Sequence, residues 1–175
     1  MNDTLLGRAA AAVEDAEGLD APATILRDVA PKLPRPLLDV LTGRAVGSPL
    51  HPALVHLPIG AAISALVVEL VGGETQASSA RLLAGLTVAS AVPAAWTGLA
   101  DYASAYGAGA RRVGAAHALL NAAGTTLALA AVATGGATRR PIPTLLIAGS
   151  VGAYLAGGFL GGHLVHAREQ TAPGA

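Results

Sequence analysis

The sequence predicts an all-α fold of the polytopic membrane class: a four-transmembrane-helix bundle preceded by a short helical N-terminal arm. Three observations carry this reading. Of 175 residues, 53% are hydrophobic and only 13% charged, with a mean hydropathy of +0.55, a composition that points to lipid as the solvent. Beyond residue 52, apolar runs of about the 20 residues a bilayer core requires recur four times, separated by short polar turns. The residues before them are charged, so the character of the chain changes abruptly at Ser48-Pro-Leu-His-Pro-Ala-Leu-Val-His-Leu-Pro-Ile-Gly60.

In chain order, residues 1–47 form the arm, 48–168 the transmembrane domain and 169–175 a disordered tail. Leu5, Leu6, Ala9, Ala12, Val13 and Ala16 recur at helical spacing, with Asp3 or Thr4 as cap and Gly18 as stop. A second short helix over 20–30 ends at Pro31. Leu37, Leu38 and Leu41 mark a third, suited to lying in the headgroup layer or standing as a solvated arm. Span one runs over 52–72. Pro52 suits a first helical turn, whereas Pro58 removes an amide, frees the Leu54 carbonyl and bends the helix beside His56. Glu69 is the one acid well inside an apolar run, expected to snorkel or to pair with Arg81. Span two covers 80–100 with Pro93 and Trp96, span three 113–134, and span four 142–165. Gly157-Gly158 and Gly161-Gly162, spaced by four, read as a close-packing helix face.

Equal numbers of basic and acidic residues, 11 of each, leave no global field to attract nucleic acid. The absence of cysteine excludes disulfides, iron–sulfur ligation and thiol catalysis by this chain. No secretory signal is expected, because the first long apolar run starts near residue 53. No phosphate-binding loop, dinucleotide fingerprint or Ser–His–Asp pattern is present.

Four spans place both termini on one side. Arg27, Lys32, Arg35, Arg44, Arg111, Arg112 and Arg168 fall there, against Arg81, Arg139 and Arg140 opposite. The positive-inside bias therefore puts both termini in the cytoplasm and the protein in the cytoplasmic (inner) membrane. Trp96, Tyr102 and Tyr106 form an aromatic belt at the same level. This topology gathers the five histidines, His51, His56, His117, His163 and His166, with Asp101 near the inner face. His117 and Asn121, four apart, share one face of span three. Ionisable groups in spans are costly and usually face the bundle interior, where they pair or act.

His51-Pro52, Val55-His56-Leu57-Pro58-Ile59-Gly60, Arg112-Val-Gly-Ala-Ala-His117 with Asn121, and Gly161-Gly162-x-Leu164-Val165 resemble an uncharacterised bacterial family of small four-span membrane domains of unknown function. In some of its members the domain is joined to a Rieske iron–sulfur module. The likeness covers about residues 44–168. Family members often carry histidine where this chain has Ser48. No Rieske module is expected after Ala175, so an iron–sulfur centre would come from a separate redox protein or respiratory complex.

Several functions fit these residues. A redox-associated, electron-transport subunit would bind haem b through His56, His117 and His163, with Asp101 and Asn121 orienting the imidazoles. A zinc or iron ion would draw on His51, His56, His117, His163 and His166, the last two forming a His-x-x-His clip. A proton or ion path would run from His56, His117 and Asp101 to Glu69. A scaffold subunit with no cofactor would use the same helices only for packing, in a larger complex or a homo-oligomer. None of these makes the chain an independent enzyme.

Overall fold

The structure, a computed structural model, describes residues 4–29, 34–103, 107–134 and 141–171, with side chains as far as Val165. Lys32, Tyr106, Arg139, Arg140, the side chains of His166 and Arg168, and residues 172–175 lie outside this description. Among the described residues there is no strand. The helices are α1 (Leu5–Glu14), α2 (Asp20–Val29), α3 (Arg35–Leu41), α4 (Leu50–Leu54), α5 (His56–Gly72), α6 (Ala77–Tyr102), α7 (Ala108–Thr134) and α8 (Pro141–Thr171).

Three helical stretches are long and apolar enough to cross a bilayer: Leu50–Tyr102, Ala108–Thr134 and Pro141–Val165. The first contains a reversal. Gly73 takes a positive φ of 62°, which costs a residue without a Cβ little, and a 3-10 turn over Gly73–Gln76 leads into α6. α6 then packs back along α5. The four long helices close into a ring, with α6 against α5 and α7, and α8 against α7 and α5. Within the first stretch the helix breaks at Val55, between α4 and α5. Pro58 explains the break, because the Leu54 carbonyl has no amide to meet at that position.

Side-chain size is distributed from small inside to large outside. The buried positions are mostly Ala61, Ala62, Ala65, Ala80, Ala84, Ala94, Ala128 and Ala131, with Thr87, Ser90, Thr97 and Ser150. Outside stand Val71 (83% exposed), Leu82 (75%) and Leu145 (70%), with Val67, Leu86, Val92, Leu129 and Leu155. A water-soluble bundle would bury its large aliphatics. A lipid-solvated bundle has no such drive and gains by bringing backbones close over small residues. Ser150 shows the effect, its hydroxyl donating to the Gly124 carbonyl of α7 at 2.7 Å. Tyr154, one turn on, meets Thr125 at 2.8 Å. Glu69 does not snorkel: it is 4% exposed and accepts from the Thr144 hydroxyl of α8 at 3.0 Å.

The arm docks on the bundle. Thr4 caps α1, accepting from the Gly7 amide at 3.0 Å, and both α1 and α2 pack on α7. The docked face of α1 differs from the apolar stripe expected from the sequence. Leu5, Leu6, Ala9 and Ala12 are exposed, whereas Ala10 is fully buried. Polar groups at the far end of α1 set this orientation. The Arg112 guanidinium of α7 grips Asp20 through two bonds of 2.7 and 3.0 Å and donates to the Glu14 carbonyl at 3.1 Å. The Glu14 carboxylate meets His163 Nε2 at 2.7 Å. The Tyr102 hydroxyl lies 3.2 Å from the Ala23 carbonyl.

The Arg112 guanidinium holds the Asp20 carboxyl below its ordinary pKa. A lowered carboxylate pKa adds stability that is present above the unfolded-state value and is lost as pH falls through the folded-state value. The Arg112–Asp20 share of arm docking should therefore be constant from neutral pH down to about 5 and be lost below about 4. Arg112→Gln should reproduce the acid behaviour at pH 7, read as faster hydrogen exchange over α1 and α2 with α5–α8 unchanged. Equal protection of the arm in the variant would remove Arg112 as its anchor.

Candidate functional site: a buried histidine pair

The break at Val55 frees α4 to pack on α6 instead of continuing the line of α5. It carries His51 inward, where Nδ1 lies 2.9 Å from the Ala94 carbonyl of α6. A carbonyl can only accept, so Nδ1 bears the hydrogen and the neutral ring keeps its lone pair on Nε2. Thr97 donates to the same Ala94 carbonyl at 2.9 Å and stands 3.4 Å from His51 Nδ1. The ring fits because residue 98 is glycine: a Cβ there would lie 2.7 Å from His51 Cε1.

His117 on α7 repeats the arrangement against α8. Its Nδ1 donates to the Gly157 carbonyl at 2.7 Å, again leaving Nε2 as the acceptor. The Asn121 amide stands 3.2 Å from His117 Nε2 and donates to the His117 carbonyl at 2.7 Å. Glycines make the room here as well. A Cβ at Gly161 would lie 3.0 Å from His117 Cε1, and one at Gly157 would lie 2.9 Å from Asn121 Nδ2. The two rings meet, with centres 5.9 Å apart and planes at 81°. Both are half-buried.

Of the residues singled out from the sequence, the structure brings together His51, His117 and Asn121. His56, the first residue of α5, is exposed and donates locally to the Ala53 carbonyl at 3.3 Å. His163 is engaged by Glu14 of the arm. Asp101 is half-buried near the end of α6. Among the described residues no three of His, Asp and Glu are grouped as a metal cage would require. The four described histidines are therefore not one cluster but a pair, a separate arm contact and an exposed ring.

The sequence ranked His56 above His51 because His51 falls at the edge of the apolar run. The helix break reverses that order, and Pro58 was its visible sign. Gly98 carried no signal by itself, and Gly157 and Gly161 read only as packing. Gly98→Ala and Gly161→Ala should each displace a ring and lower stability by about 1–3 kcal/mol. Gly158→Ala, where an added Cβ has no neighbour within 4 Å, should stay within about 0.5 kcal/mol. Thermal unfolding in detergent separates the two outcomes, and equal stability of all three variants would refute the ring-pocket role.

No curated protein and no solved structure matches the chain. A family model described as a predicted membrane protein domain, DUF2231, matches residues 47–171. That match spans the break, the histidine pair and all four long helices, so the chain belongs to the DUF2231 family of predicted membrane proteins, whose function is unknown.

Proposed function

We propose that this membrane protein is a small redox-associated subunit of the cytoplasmic membrane that crosses the bilayer four times, with both termini inside, and that the His51–His117 pair is its working centre. The carrying observation is the pair itself. Two imidazoles from different helices meet at 5.9 Å, each with Nδ1 tied to the backbone carbonyl of a neighbouring helix. That is how proteins orient metal-ligating histidines: the outer nitrogen donates to a fixed acceptor, and the inner one is held ready. The four-span topology is supported by the ring of α5–α8 and by the arginines Arg27, Arg35, Arg44, Arg111 and Arg112 near one end of it.

The donor set suits either haem b or a metal ion. The packing favours the ion, because the α6 backbone at Gly98 and the α8 backbone at Gly161 stand against the ring edges, and a macrocycle would need those helices farther away. The same packing supports a second reading, in which the pair is a polar lock in a scaffold subunit without a cofactor.

Protein purified in detergent after expression with haem and metal supply should carry stoichiometric haem or transition metal, lost on replacing His51 or His117. Well-folded wild-type protein with no Soret band and no bound metal would overturn the redox reading in favour of the scaffold. Topology has its own test, simplified by the lack of native cysteine. A cysteine at Thr75 should react with impermeant maleimide from outside the cell, and one at Ala103 only after lysis. The reverse pattern would invert the orientation.

A further inference from the structure

We infer that α3, with the turn that follows it, is an anchor for an acidic lipid surface: Leu37, Val40 and Val46 enter the acyl layer while Arg35 and Arg44 meet lipid phosphates. The inference needs only that the long helices cross the bilayer, and it stands apart from the histidine pair. Position, exposure and charge lead there.

Position comes first. The turn after α3 is closed on itself: Gly43 takes a φ of 81°, and its carbonyl accepts from the Val46 amide at 3.1 Å and the Ser48 amide at 3.2 Å. The Ala45 amide reaches back to the Asp39 carbonyl of α3 at 3.2 Å. A Cβ at Gly43 would run into the Ser48 carbonyl and lie 3.0 Å from the Leu50 nitrogen. Leu50 is where the first membrane-crossing stretch begins, so the end of α3 is held against the mouth of that stretch. α3 also packs on α6, within the same stretch. Its depth is thereby fixed at the level where the chain enters the membrane. Leu50 also opens α4, which ties the anchor to the helix that carries His51.

Exposure is the second observation. Leu38 and Leu41 are half-buried, whereas Leu37 is exposed and Val40 is 52% exposed. Three positions apart on one helix, Leu37 and Val40 share a face. Val46, in the turn, is 67% exposed. Transfer of such side chains from water to hydrocarbon is favourable, and at this depth hydrocarbon is at hand. The apolar exterior resumes at Leu57, in the first turn of α5, so outward-facing apolar residues flank α4 on both sides in the chain. Charge is the third. Arg35 opens α3 and Arg44 follows it, both exposed. Arg44 bonds Asp39 at 3.4 Å, a pair with both partners largely exposed and of little worth in water. Its guanidinium has donors for a phosphate, which it grips in the same forked geometry as a carboxylate. Two cations against one acid at the membrane surface favour acidic over zwitterionic headgroups.

The test uses the full chain in lipid nanodiscs, one copy per disc, with an environment-sensitive dye on single cysteines replacing Val40, Val46 or, as the water-exposed comparison, Thr75. All three positions are exposed, and thermal unfolding in detergent checks that the labelled chains are folded. Discs of phosphatidylcholine alone are compared with discs that also contain phosphatidylglycerol. Dyes at Val40 and Val46 should emit to the blue of the dye at Thr75, resist quenching by aqueous acrylamide and be quenched by brominated acyl chains. Protection should rise with phosphatidylglycerol, and the rise should disappear in high salt and in the Arg35→Gln/Arg44→Gln variant, since both remove the attraction to the headgroups. Acrylamide quenching at Val40 and Val46 as strong as at Thr75 would overturn the anchor. Protection that appears only in discs holding two copies would assign the face to a second chain and overturn the lipid. Equal protection in the two lipids, unaltered by the arginine substitutions, would overturn the acidic headgroup as the partner.

Discussion

The structure depends on one constraint: a polar group that enters the bundle must find its partner inside it, because lipid offers none. His51 reaches the Ala94 carbonyl, His117 the Gly157 carbonyl and Ser150 the Gly124 carbonyl, each on a different helix from its own. Thr87, Ser90 and Thr97 turn back onto carbonyls one turn earlier. Among the described residues no buried side-chain nitrogen or oxygen lacks a partner. Bonds of this kind reach across helices only where the backbones are close, and the small residues at the helix interfaces provide that proximity. Alanine-rich burial and polar satisfaction are thus two sides of one arrangement.

The arm obeys different physics. It meets the bundle at its end, where charges are allowed, and is held by the Arg112–Asp20 fork and the Glu14–His163 contact. Asp20 is more than half exposed, so its share is modest and screened by salt. The buried Ala10 and the Tyr102–Ala23 contact add packing that salt does not touch. Leu5, Leu6, Ile25 and Val29 remain exposed on the arm's other faces.

Much of the fold was legible in the sequence, and for identifiable reasons. Continuous apolar length located α5–α8 with ends up to six residues from those observed, and proline chemistry foretold a bend beside His56 where the helix in fact breaks. The capping residue of α1 was among the two named. The docked face of α1 was not legible, because hydrophobic periodicity assumes that a helix buries its large residues, and α1 is oriented by polar bonds to residues almost 100 positions away. The site was legible in part. Shared depth along the bundle brought the right residue types into view, including His117 and Asn121, but depth does not specify direction around a helix. Only the tilt of α4 and the hollows left by Gly98 and Gly161 decide which rings meet.

The Glu14–His163 contact joins residues 149 positions apart, which has a bearing on how the protein is made. The arm is made before the helices it touches, and α1 can settle on α7 as soon as that helix follows, but the Glu14 carboxylate meets its partner only once α8 has been added. The last helix therefore adds a tether to an arm already seated, and a chain truncated ahead of His163 would keep the Arg112 grip while losing that tether.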